Sequence, residues 1–153
     1  MRMTSGRHKG KTLELIALKA PDFIRDLLLS EPRNETQRCI QAEAMRLVDT
    51  FNRRAFCVSC VGRDCGRPAL RCTICKSDVL NPWWWCDTCD PWQYGAGRDR
   101  IQIVRTYQDA LDFSGAFDDP KVTRALILTL AEAKGLLASW RLSESQADIF
   151  FNG

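Results

Sequence analysis

Seven of the eight cysteines in this 153-residue chain lie between Cys57 and Cys89. No other feature constrains the fold as strongly. The spacing reads C-x2-C-x4-C-x6-C-x2-C-x10-C-x2-C. A C-x-x-C turn lets two thiolates reach one tetrahedral ion while nearby backbone N–H groups stabilise the sulfur charge, and two such turns close the site. In a secreted chain the same residues would pair as disulfides. Residues 1–11 are basic, and the apolar stretch of a secretory leader does not follow them. The longest hydrophobic run, 125–130, is broken by Thr129 and is far too short to span a membrane. The expected setting is a reducing cytoplasm, where crowded C-x-x-C pairs are metal ligands.

The pattern predicts structural zinc, with two ions for seven thiolates. Cys72, Cys75, Cys86 and Cys89 form the first expected site, closed by a ten-residue loop. Cys57, Cys60 and Cys65 supply three ligands of a second, for which Cys39 and His8 are candidate fourth ligands. The connectivity stays open. Cys57 and Cys60 can instead pair with Cys72 and Cys75, or Cys65 and Cys72 can interleave with the last pair. A free thiol is the alternative for Cys65, and an iron–sulfur cluster is the alternative for the metal. A catalytic zinc needs an open position with an acid or base beside it. A nucleobase deaminase would show H-x-E and P-C-x-x-C. The only histidine, His8, precedes Lys9-Gly10, and Pro82 lies four residues ahead of Cys86. The expectation is a binding protein and not an enzyme.

Bulk charge does not argue for a nucleic-acid partner. Seven thiolates on two zinc ions would bring the formal net charge of +3 to about zero. Any attraction must come from local patches.

Along the chain, three segments emerge: a helical 1–54, a cysteine-rich 55–97 and a closing 98–153. Thr12 caps a short helix carrying Leu13, Ile16 and Ala17. Pro21-Asp22 restarts a helix through Phe23, Ile24, Leu27 and Leu28, which Glu31-Pro32 ends. Asn34 with Gln37 opens the best helix of the chain, with Ile40, Ala44, Leu47, Val48 and Phe51 at helical spacing. Cys39, inside it, is expected to be a buried free thiol. Alternation over 100–107 predicts a strand, followed by a short helix near 108–113. Asp118-Asp119-Pro120 starts a helix expected to run through Val122, Ala125, Leu126, Leu130, Ala133 and Leu137 to Trp140. Ser143 or Ser145 caps a last helix ending in Ile149, Phe150 and Phe151. The expected fold class is an α-rich small zinc protein, with a zinc-ribbon-like insert between two helical segments.

Arg2, Arg7, His8, Lys9 and Lys11 fall together with no acid among them, and Gly6 and Gly10 flank the run. Glycines permit close approach to a phosphate and the cations supply charge; a solvated basic tail is the plainer reading. The run 6–13, with Pro21-Asp22-Phe23-Ile24-Arg25-Asp26-Leu27-Leu28 behind it, resembles the small C-terminal domain of exodeoxyribonuclease X-like proteins. The resemblance covers about the first 30 residues and departs at Ser5 and Asp26, where that family usually has an aromatic and often has Trp. It implies a DNA-contacting accessory module, with Gly6, His8, Lys9, Gly10 and Lys11 as the contact loop, and it implies no catalysis.

Trp83-Trp84-Trp85 runs directly into Cys86, and Trp92 follows Cys89. In an extended strand Trp83 and Trp85 face one side and Trp84 the other. Some of these rings cover the metal turns. The ring left over, expected to be Trp84, is a platform for a base or a protein partner. The leading expectation is nucleic acid, DNA first, held by Arg7, His8, Lys9, Lys11 and Trp84. The second is an adaptor docking on a protein through its zinc module and C-terminal helix, or self-associating there, because Ile127 and Leu136 widen that helix's apolar face.

Overall fold

The computed structural model describes residues 1–75, 77–92, 101–115, 119–137 and 141–153. Local chemistry sets the helix starts. The Thr12 hydroxyl accepts from the Leu15 N–H to open α1 (Leu13–Lys19), and Pro21 occupies the first turn of α2 (Pro21–Leu29). Asn34 Oδ1 accepts from Gln37 N at 2.9 Å to cap α3 (Glu35–Arg53). Then come three strands, β1 (Arg71–Cys75), β2 (Asp78–Trp85) and β3 (Ile101–Val104). Thr106 and Asp109 exchange side-chain to backbone bonds at the start of α4 (Tyr107–Gly115). Asp119 caps α5 (Pro120–Ala133), whereas Asp118 lies outside the described residues. A reciprocal Ser143–Gln146 box opens α6 (Glu144–Asn152).

The expectation of an α-rich fold is corrected by the sheet. β1 is its central strand, antiparallel to both neighbours in the order β2-β1-β3. Helix makes up 48% and strand 15% of the described residues, so the fold is mixed α and β. The sequence reading missed β1 because it assigned Cys72 and Cys75 to a metal turn. In a strand, residues three apart point to opposite faces. Cys72 pairs with Trp84 and Val104 on the helix-facing side, whereas Cys75 takes the other side.

Helices from both ends and the inner sheet face share one core. Leu13, Ile16, Leu18, Leu47 and Phe51 meet Leu126, Leu130 and Phe150, and the cluster continues into Cys72, Ile74 and Val104. Tyr107 is fully buried, and its hydroxyl donates to Ala17 O at 2.7 Å, tying α4 to α1.

Helix α5 stops earlier than its apolar spacing suggests. Gly135 adopts φ +95°, and its N–H bonds Glu132 O while Leu136 N–H bonds Ala131 O. That double bond with a left-handed glycine is a Schellman end. Leu137 therefore lies beyond the helix, 85% exposed, and Trp140 lies outside the described residues. Ile127 and Leu136 are both buried inside the chain, which removes the widened face that motivated self-association. Cys39 is corrected too: it is exposed on α3, with its thiol toward Glu35 at 3.9 Å.

Candidate metal centre

Two loops meet at the end of β2. The first, after Cys57, folds back on itself: Ala69 N–H bonds Val58 O, and Cys60 N–H bonds Arg67 O. Its tip turns through Asp64 and Gly66, both in the left-handed region. Val61 N–H then bonds Trp84 O and Leu70 N–H bonds Trp85 O, which clamps this loop to the strand end. The second loop is the chain leaving β2, the turn Cys86-Asp87-Thr88-Cys89.

This arrangement brings together Cys60, Cys65, Cys86 and Cys89, whose sulfurs all lie within 4.8 Å of one another. Zinc–thiolate bonds of about 2.3 Å in a tetrahedron place sulfurs about 3.8 Å apart. Cys65 Sγ and Cys86 Sγ already stand at 3.8 Å. Gly62 N–H points to Cys60 Sγ at 3.3 Å and Cys89 N–H to Cys86 Sγ at 3.4 Å, the amide pattern that stabilises thiolate charge. The donor set fits a metal ion.

Gly62 is required by space. A Cβ there would stand 2.7 Å from Cys89 Sγ and 3.3 Å from Cys60 Sγ. The electrostatics also favour a cation. Backbone N–H groups of Thr88 and Cys89 pull the Cys86 thiol down to about 6. Cys89, crowded by the Cys86 and Cys65 sulfurs, is pushed up to about 12. One thiolate thus makes the next harder to form, and a divalent ion reverses that balance.

The set differs from the one expected first, Cys72, Cys75, Cys86 and Cys89. Cys72 is fully buried in the main core, its thiol donating to Val104 O at 3.6 Å, and burial pushes it up to about 12. Cys75 lies across the strand beside Ser77, with Sγ and Oγ 3.1 Å apart. Cys57 is exposed at the loop entry, where its N–H bonds Ala133 O. Among the described residues no second cluster forms. Neither Cys39 nor His8 joins the four sulfurs. The sequence alone did not single out this set: Gly62 lies between Cys60 and Cys65, but Gly66 lies between Cys65 and Cys72 in the same way.

An ion pair braces the second loop. Arg71 Nε stands 3.1 Å from Asp90 Oδ2, and the Asp90 side chain is wholly buried. The contact is charge–charge only, since neither atom has a hydrogen-bond partner among the described residues. Arg71 Nη2 also donates to Asp87 O, and Trp92 N–H donates to Asp90 Oδ1.

The tryptophans split as the alternation predicts, but Trp84 is not the free ring. It packs against Phe56, ring centres 5.1 Å apart, because the register turns it toward the helices. Trp85 is buried beside Cys60 and Cys86, its Nε1 donating to Thr73 Oγ1 at 2.8 Å. Trp83 is the exposed ring, at 59%.

The basic loop is built on backbone bonds between Met3 and Lys11 and between Gly10 and Met3, with Gly6 and Gly10 both left-handed. Arg2 donates to the Gly10 carbonyl and pairs with Glu144 at 2.8 Å. Arg7 stacks over Phe23 and pairs with Asp22 at 3.3 Å. His8 packs edge-on against Phe23 at 4.7 Å, and burial followed by the charges of Arg7 and Lys11 lowers its pKa. Lys9 and Lys11 are exposed and have no carboxylate partner among the described residues. No described helix is long and apolar enough to cross a membrane. In comparisons with known proteins, no family model, no curated protein and no solved structure matches the chain.

Proposed function

We propose that this chain is a structural-zinc protein without catalytic chemistry, which binds nucleic acid, DNA first, through its basic loop. The four-sulfur cluster carries the zinc reading. Four thiols from two clamped loops, two of them buried, would fill a tetrahedral ion's coordination sites, and its charge would let all four ionise together. One zinc per chain is the expected content, from elemental analysis of protein purified without added metal.

The loop supports the second half. Lys9 and Lys11 stand exposed on a scaffold that two left-handed glycines and Arg2 fix in place. Such cations recognise phosphate without reading sequence. The likeness of this segment to the exodeoxyribonuclease X-like module points the same way. Replacing Lys9 and Lys11 by Ala should weaken binding to all nucleic-acid sequences and lower the log–log salt slope by about two units. Identical affinities at two salt concentrations for wild type and variant would overturn the loop's role and leave the zinc reading standing. An adaptor role is the second reading, favoured by Val61, Leu70 and Trp83, which the zinc module leaves about half exposed.

A further inference from the structure

A cavity of about 440 Å3 opens where the helical core meets the metal module, lined by Arg53, Arg54, Phe56, Asp87, Arg105 and Lys134 among others. Its charges do not balance. Four cations face the single carboxylate of Asp87, and among the described residues none of the four forms an ion pair.

Lys134 is the unusual member. Its residue is 2% exposed, yet its ammonium has one hydrogen bond, to Arg54 O at 2.7 Å. It sits 4.2 Å from the Phe56 ring centre and 5.3 Å from that of Phe51. An ammonium has three donors, so two hydrogens are met by ring faces and the cavity. Arg54 is better satisfied, donating to Lys134 O and Phe150 O. Both cations thus have carbonyls, but carbonyls do not neutralise charge. Among the described residues Arg53 donates only to Asp49 O, and Arg105 reaches the same space from the end of β3. Lys134 alone of the four is buried, and a buried cation with like charges beside it is costly unless an anion completes it.

We propose that this cavity is an anion site for a phosphoryl group, held by Lys134 with Arg105 and Arg53 at its mouth. Guanidinium groups suit phosphate oxygens through paired N–H donors, and the ammonium supplies a positive charge at the base. The group belongs either to a small phosphate compound or to a nucleic-acid strand. The site is separate from the 6–11 loop and does not depend on it.

The test uses the full, metal-loaded chain. Inorganic phosphate and a nucleoside 5′-monophosphate should bind by calorimetry at low salt, and the unphosphorylated nucleoside should not. Arg105→Gln, an exposed position, should weaken phosphate binding about tenfold, the size expected for one charged hydrogen bond. Lys134→Met should weaken it at least as much, whereas Lys121→Ala, at an exposed position outside the cavity, should bind phosphate like wild type. Displacement of phosphate by single-stranded oligonucleotide assigns the group to nucleic acid, and phosphate binding without displacement assigns it to a small compound. Should Lys134→Met fail to fold, Arg105→Gln and Arg53→Gln carry the test. The absence of phosphate binding, or equal binding by wild type and both arginine variants, would overturn the site.

Discussion

Individual cysteines in this chain have unlike roles, and single substitutions separate them. Cys86→Ser should abolish zinc retention, since it removes one of four sulfurs and the one most easily ionised. Cys72→Ser should leave metal content unchanged and cost about 1–3 kcal/mol by setting a hydroxyl in the apolar core. Metal analysis and denaturant melts of the pair decide this; loss of zinc from Cys72→Ser would show that the buried thiol does reach the ion. Gly62→Ala belongs with the first variant, because the added methyl group meets Cys89 Sγ and Cys60 Sγ. That cysteines would gather into a cluster able to hold a metal ion was legible from their crowding alone. Ligand identity was not, because a C-x-x-C pair reads alike in a turn and in a strand, and only tertiary pairing put Cys72 and Cys75 on opposite faces of β1.

At the scale of elements, helix starts were legible and helix ends less so. Thr12, Pro21, Asn34, Asp119 and Ser143 act locally, through side-chain caps or a first-turn proline. The end of α5 was masked by a continuing apolar spacing that outweighed Gly135. Gly135→Ala should cost about 1–2 kcal/mol, read from a thermal melt, since a side chain resists φ +95°. The same helix end bonds α3 reciprocally: Lys134 Nζ donates to Arg54 O and Arg54 Nε donates to Lys134 O. Burial, then the charge of Arg54, lowers the Lys134 ammonium from 10.5 to about 8. Between these values the unfolded chain holds a proton that the folded chain has released. Stability should therefore rise as pH climbs from about 8 toward 10.5. Lys134→Met should lack that rise, and parallel pH profiles of the two proteins would refute it. Arg71→Met should be harsher. It strands the Asp90 carboxylate without a counter-charge, an expected loss of about 3–5 kcal/mol by denaturant titration.

Across the whole molecule, two apolar clusters divide the response to metal removal. Trp85, Cys60 and Cys86 form a small cluster of their own, whereas the inner sheet face belongs to the helical core. Chelation should disturb the tryptophan near-UV spectrum while most of the helical far-UV signal persists; simultaneous loss of both would mean that the core cannot stand without the ion. The helical halves were legible in the sequence as amphipathic runs. Their union with a sheet was not, because β1 pairs with a strand more than twenty residues away and its two cysteines look like a metal-binding pair.

Strand β2 carries the exposed Trp83, Trp84 against Phe56 and Trp85, and leads directly into Cys86 of the sulfur cluster. Its pleat works as a ratchet with one permitted tooth. Trp83, Trp84 and Trp85 pair in unbroken register with Thr73, Cys72 and Arg71, so deleting or inserting a single residue between Trp83 and Cys86 would exchange inward and outward rings and turn the next sulfur away from its three partners. Related chains that retain the sulfur cluster should therefore vary in side chain from Trp83 to Cys86 but share the length of that stretch, and any tolerated indel should fall outside it.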